Sequence, residues 1–95
     1  PIPYEFDLIQ NFPNPFNPAT TIKFSLPVMT VVDLRVFNVL GREVKQLVAD
    51  TRTAGVHEVV WDGRTNNGTT ASSGIYFYRL IAGETTIQRK MLLLK

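Results

Sequence analysis

Residues 74–95 read GIYFYRLIAGETTIQRKMLLLK, and this stretch narrows the possible folds more than any other. Two extended runs, residues 75–82 and 85–94, are rich in Ile, Tyr, Phe, Thr and Leu and are split only by a turn around Ala82, Gly83 and Glu84. Branched and aromatic side chains suit a pleated surface, and a glycine-bearing turn joins antiparallel neighbours, so the stretch is predicted to be a β-hairpin. Tyr76, Tyr78 and Leu80 are expected to face inward against Ile87, Met91 and Leu93, a face that Arg89 interrupts. The sequence ends within the second strand, so a terminal strand paired to its neighbour would be both a structural closure and an accessible handle.

The same period of two recurs upstream. Ile22, Phe24 and Leu26 alternate with Thr21, Lys23 and Ser25 in a half-buried strand ended by Pro27. In the next strand Val32, Leu34 and Val36 form one face and Asp33, Arg35 and Phe37 the other, before a turn at residues 38–41. Residues 43–48 should return antiparallel. Val44 and Leu47 are three apart, which predicts a bulge or strand end near Lys45 and Gln46, with a helical turn as the alternative. Residues 50–55 read as a polar loop closed by Gly55, and residues 56–61 as a strand with His57, Val59 and Trp61 on one face and Trp61 as a core anchor. Residues 62–74, DGRTNNGTTASSG, supply turn chemistry before the closing hairpin. About seven short strands without a helical stretch point to an all-β antiparallel sandwich of immunoglobulin-like or fibronectin III-like type.

Ahead of the first alternating strand lies NFPNPFNPA, residues 11–19. Pro13, Pro15 and Pro18 fix φ and push Phe12, Asn14 and Asn17 toward extended or turn conformations. The segment should be a stiff leading turn in which Asn14 and Asn17 bond nearby backbone and Phe16 plugs one end of the core. Residues 1–9 read as a linker from a preceding domain, becoming domain near Phe6, and residues 10–95 as the domain itself. Pro1 in place of an initiating Met points to a piece of something longer.

A chain of 95 residues buries roughly 65% of its unfolded surface, enough for one core without staples. The absence of cysteine removes disulfides, thiolate metal sites and thiol nucleophiles. Ten basic residues against eight acidic ones are scattered along the chain rather than gathered in a stripe, so nucleic-acid binding is not expected. No apolar run approaches a membrane span, so no membrane insertion is expected. The single histidine, His57, shares a strand face with Val59 and Trp61, which suits a satisfied half-buried ring rather than a general base, and no carboxylate spacing sets up an acid and its partner. The chain reads as a non-enzyme with no cofactor. Asp62, Asn66 and Asn67 before Gly68 superficially suggest a calcium loop, yet Arg64, Asn67 and Ser73 stand where an EF-hand needs a ligand, glycine and glutamate. Asn67-Gly68-Thr69 matches a glycosylation pattern of low specificity. Tyr4, Phe12, Phe37 and Phe77 are aromatics that need not all fit inside, which leaves a carbohydrate-binding platform as one alternative.

Several blocks carry a resemblance: QNFPNPFNPATTIKFSL at residues 10–26, FNVLGREV at 37–44, AGVHEVVWDG at 54–63, SGIYFYRL at 73–80 and KMLLLK at 90–95. In this order they resemble the C-terminal sorting domain, type A, of the type IX secretion system. The resemblance implies a small Ig-like sandwich at the end of a larger secreted bacterial protein, read by outer-membrane secretion machinery. In many such proteins a sortase-like protease then cuts upstream of the domain and joins the N-terminal passenger to surface lipopolysaccharide. By matching positions, the sorting signal would lie in Lys90, Met91, Leu92, Leu93, Leu94 and Lys95, with Gly74 and Tyr76 in the preceding motif. An extended edge strand could be bound by strand addition, and unpaired groups at residues 91–94 would also suit an edge-strand dimer. On this reading, deleting residues 90–95 abolishes export and leaves an otherwise folded domain. The Ig-like domain of flagellar hook-capping proteins shares the NPFNP, Trp-Asp-Gly and Ser-Gly-Ile-Tyr blocks, and would make the chain a structural and protein-contact module instead.

Overall fold

The computed structural model describes residues 4–95. Its seven strands run β1 (Asp7–Leu8), β2 (Thr20–Leu26), β3 (Thr30–Phe37), β4 (Glu43–Arg52), β5 (Gly55–Trp61), β6 (Gly74–Ala82) and β7 (Thr85–Leu93). They form a three-stranded sheet ordered β1-β2-β5 and a four-stranded sheet ordered β4-β3-β6-β7, with every strand pairing antiparallel. The alternation seen in the sequence becomes burial. Ile22, Phe24 and Leu26 from one sheet and Val32, Leu34, Val36, Tyr78 and Leu80 from the other meet in a single core, as the inner faces of an all-β sandwich require.

The closing hairpin has the expected register, Ala82↔Thr85 through Gly74↔Leu93. Gly83 takes φ 60° while Glu84 keeps a negative φ, the pattern of a II′ turn, whose twist matches that of its flanking strands. Tyr76, Tyr78, Leu80, Met91 and Leu93 are buried and Ile87 packs against them. Arg89 stays exposed and donates from Nε to the Leu8 carbonyl, so the residue that interrupts the apolar face ties β7 to β1.

The irregularity expected in β4 is a bulge. Leu34 faces Val48 while Arg35 faces Gln46, and Val36 faces Lys45 while Phe37 faces Glu43, leaving Leu47 and Val44 as extra residues. Each insertion flips the pleat, which lets Val44, Leu47 and Val48 all pack on the core despite their spacing.

Two boundaries differ from expectation. Asp50, Thr51 and Arg52 continue β4 instead of opening a loop, because Thr30, Val31 and Val32 lie opposite and pair with them. Within the segment read as linker, Asp7 and Leu8 pair with Ser25 and Phe24, and Leu8 is fully buried. A two-residue strand is too short to show alternation, so its hydrophobic anchor left no periodic signal. Pro1, Ile2 and Pro3, the rest of that linker reading, lie outside the described residues.

Trp61 is completely buried between Phe16, at 5.6 Å between ring centroids, and Tyr76, at 5.4 Å, and its indole Nε1 donates to the Arg64 carbonyl at 2.9 Å. Next to it, Gly63 takes φ 79°, and a Cβ there would lie 2.7 Å from the Pro18 carbonyl oxygen. The Trp-Asp-Gly block and the proline-rich segment are therefore two sides of one close backbone contact.

Candidate functional site

The residues expected to carry a sorting signal occupy the end of the β6–β7 hairpin, and the fold divides them by depth. Gly74 opens β6 at φ 152°, a backbone conformation that L side chains rarely adopt, although a Cβ would meet nothing there. Tyr76 packs edge-on against Trp61 and donates its hydroxyl to the Ser72 carbonyl at 2.6 Å. Met91 and Leu93 are core residues. Lys90, Leu94 and Lys95 face solvent, and Leu92 is half-buried.

The expectation of unpaired groups along residues 91–94 is corrected by the structure. Leu92 donates its amide to Asn14 Oδ1 at 3.0 Å and accepts at its carbonyl from the Phe16 amide at 3.0 Å, and the Leu94 amide donates to the Phe16 carbonyl at 3.0 Å. Phe16 thus forms an isolated parallel bridge with Leu93 along the outer side of β7. Gln10 Nε2 donates to the Lys90 carbonyl at 2.9 Å, and Ser73 Oγ accepts the Lys95 amide at 3.0 Å. The proline-rich segment is the cap of that edge: its prolines have no amide to offer a ladder, and it bends so that Asn14 and Phe16 meet β7.

Sequence reasoning missed these bracing residues. Asn14 was expected to bond nearby backbone, whereas its partner lies 78 residues away. A short Asn side chain among prolines announces a turn, and nothing in its neighbourhood distinguishes a local acceptor from a distant donor. Tyr78 is a second such link. Its hydroxyl accepts from the Asn11 amide at 2.8 Å and donates to the Ile9 carbonyl at 2.9 Å, so the middle of β6 holds the segment between β1 and the prolines.

Burial pushes the Tyr78 phenol above its ordinary 10.0, against the opposing pull of the Asn11 amide and the Arg89 charge. The folded protein then holds this proton more tightly than the unfolded chain does. Its contribution is complete below about pH 10 and is lost as pH rises through the folded value. Tyr78→Phe is expected to lower stability at neutral pH by about 1–3 kcal/mol, since the Asn11 amide and Ile9 carbonyl lose their partner. Denaturation curves at pH 7 and pH 11 test this: the wild-type loss above pH 10 should shrink in the variant, and an equal loss in both would remove Tyr78 as its source.

The remaining chemistry-bearing residues stay apart. His57 is half-buried, stacks on Phe24 at 5.3 Å and contacts the Thr53 carbonyl through Nε2 at 2.8 Å. Among the described residues no group of three or more His, Asp or Glu could hold a metal ion, and no helix is long and apolar enough to cross a membrane. Of the aromatics considered for sugar binding, Tyr4 and Phe12 are exposed, while Phe37 and Phe77 are half-buried, Phe37 with the Arg79 guanidinium 4.5 Å over its ring. Asn14, Ile75, Lys90, Met91 and Leu92 line a shallow depression of about 220 Å³ beside the capped edge.

With this geometry the fold has solved relatives. Dimeric latent PorU from Porphyromonas gingivalis matches 97% of this chain at a TM-score of 0.80 and 22% identity, and the chain spans 9% of that structure. PorZ of the same organism, described as an essential bacterial surface component of its type IX secretion system, matches 90% at a TM-score of 0.65 and 20% identity, the chain spanning 11% of it. FlgD from P. aeruginosa matches 78% at a TM-score of 0.64 and 22% identity, with 61% of that chain covered. No match was found among the curated proteins. At these identities the structures attest the sandwich alone. The sequence itself goes further, since residues 17–85, from Asn17 in the proline-rich segment to the first residue of β7, match the FlgD Ig-like domain, and on that match the chain belongs to the FlgD Ig-like domain family.

Proposed function

We propose that this chain is a non-catalytic C-terminal module of a larger exported bacterial protein, serving as its type IX secretion signal and surface-sorting domain. One observation carries the reading. The family match covers residues 17–85, and the segments outside it bind each other: Leu8 to Arg89, Gln10 to Lys90, and Asn14 and Phe16 to Leu92 and Leu94. The fold likeness to PorU takes in 97% of the chain, so it extends into this added unit. A hairpin clamped by the start of its own domain presents a defined end to a receptor at low entropic cost.

The handle on this reading is narrower than the last six residues. In β7 the residues that turn their backbone outward are those in phase with Leu92, namely Lys90, Gln88 and Thr86. Gln10 takes the Lys90 carbonyl, so the machinery would grip the free part at Gln88 and Thr86 by strand addition and read the protruding Leu94 and Lys95, while the passenger lies on the N-terminal side. Destination at the cell surface and outer-membrane partners follow from the same proposal. An edge dimer through residues 92–94 would first have to displace Phe16.

Fusing residues 6–95 to a periplasmic reporter, in a host that has this system, should send the reporter to the surface. Replacing exposed Lys90 and Lys95 together by Glu should abolish that transfer without altering the unfolding midpoint. Undiminished surface reporter from the double variant would sink the assignment. The family membership itself favours a second reading, a structural contact module as in flagellar hook-capping proteins, and the export assay with the intact domain separates the two.

A further inference from the structure

The sandwich has strand edges at β1, β4, β5 and β7, and the fold treats them differently. On β1 the Leu8 carbonyl accepts from Arg89, and on β7 Asn14, Phe16 and Gln10 cover the end of the strand. On β4 Asn66 takes the Val44 carbonyl and the Gln46 amide. The rest of the β4 and β7 edges carries small or polar side chains, Ala49 and Thr51 on one and Thr86 and Gln88 on the other.

β5 is different. Thr21 bonds Phe12 and the Lys23 carbonyl bonds Ile9, so these residues of β2 face β1, and Ile22 and Phe24 pair with Val59 and His57 of β5. By the antiparallel alternation, Val56, Glu58 and Val60 turn their amides and carbonyls away from the sheet. None of those groups has a hydrogen-bond partner among the described residues. The same residues put their side chains on the outer face, where Val56 is 53% and Val60 62% exposed, with Glu58 between them and Lys23 3.3 Å behind it. β5 carries no proline and pairs with β2 without a bulge, so Glu58 alone stands on this edge as a device that discourages pairing, between two exposed branched side chains that favour it.

We infer that the β5 edge is a docking strand for an extended segment of another polypeptide, with Lys or Arg facing Glu58 and branched apolar residues facing Val56 and Val60. Charge selects this occupant over a second copy. The two-fold antiparallel register that pairs all three residues sets Val56 against Val60, which is favourable, but Glu58 against its own counterpart, and like charges directly opposite are destabilising. A cation in that place reverses the sign. None of the C-terminal hairpin residues takes part, so the outcome stands apart from that of the export assay.

The test is a titration of the isotope-labelled domain with the peptide Thr-Val-Thr-Lys-Thr-Val-Thr, following backbone amides by NMR. Shifts and slowed exchange are expected at Val56, Glu58 and Val60 and not at Thr86 or Gln88. The same peptide with Glu in place of Lys should bind about fivefold or more weakly, and Glu58→Lys should reverse that preference. Glu58→Pro should abolish binding while the domain stays folded, because the amide it removes points away from β2. Unperturbed amides at about 1 mM peptide, or equal binding of both peptides, would overturn the proposal. Self-association of the domain with those amides protected would overturn it too, assigning the edge to a second copy.

Discussion

Deleting residues 90–95 is expected to unfold the domain rather than detach a tail. Met91 and Leu93 are core side chains, and Leu92, Leu94 and Lys90 are the partners of Asn14, Phe16 and Gln10. Losing two buried aliphatic side chains costs about 2–5 kcal/mol each, and the orphaned hydrogen bonds add roughly 1 kcal/mol apiece. The sum is on the order of the whole stability of a domain this size, about 5–15 kcal/mol. Urea unfolding followed by Trp61 fluorescence should show no cooperative transition in the truncated chain, and an unchanged midpoint would refute the estimate. Loss of the transition would overturn the expectation from sequence that this deletion spares the fold. Export lost on truncation cannot tell a missing signal from a missing core, which is why the Lys90 and Lys95 double variant is the discriminating one.

Phe16→Ala is expected to cost about 3–5 kcal/mol, the usual range for removing a buried aromatic ring. Phe16 is only 2% exposed, leans on Trp61 and supplies the backbone groups that cap Leu92 and Leu94. The loss should appear as a lower denaturant midpoint at unchanged slope, together with faster exchange of the Leu94 amide. A midpoint equal to the wild type would mean that the proline-rich segment merely lies on the sandwich. The variant also bears on export: it loosens the clamp without replacing the residues proposed to be read, so the folded fraction should reach the surface less efficiently than the wild type.

Much of the fold was legible because a sheet writes its burial into the sequence with a period of two. The strands from Ile22 to Leu26, from Val32 to Val36 and from Tyr76 to Leu80 bury the side chains that their alternation named, and even the β4 bulge announced itself where Val44 and Leu47 fell out of phase. Trp61 and Phe16 could be named as core residues because large apolar side chains beside turn signals have few other places to go.

Tertiary structure decided what local pattern cannot carry. Leu8 became an anchor and Asn14, Gln10 and Tyr78 became long-range ties only once the chain had folded, since a hydrogen bond between residues far apart leaves no periodicity in either neighbourhood. The same holds for the edges. The sequence by itself determined the strands that alternate over several residues and which of their faces are apolar, but the two-residue β1, the end of β4, and whether a given edge is capped, as at Leu92, or left open, as at Glu58, depend on which distant segment is laid beside it.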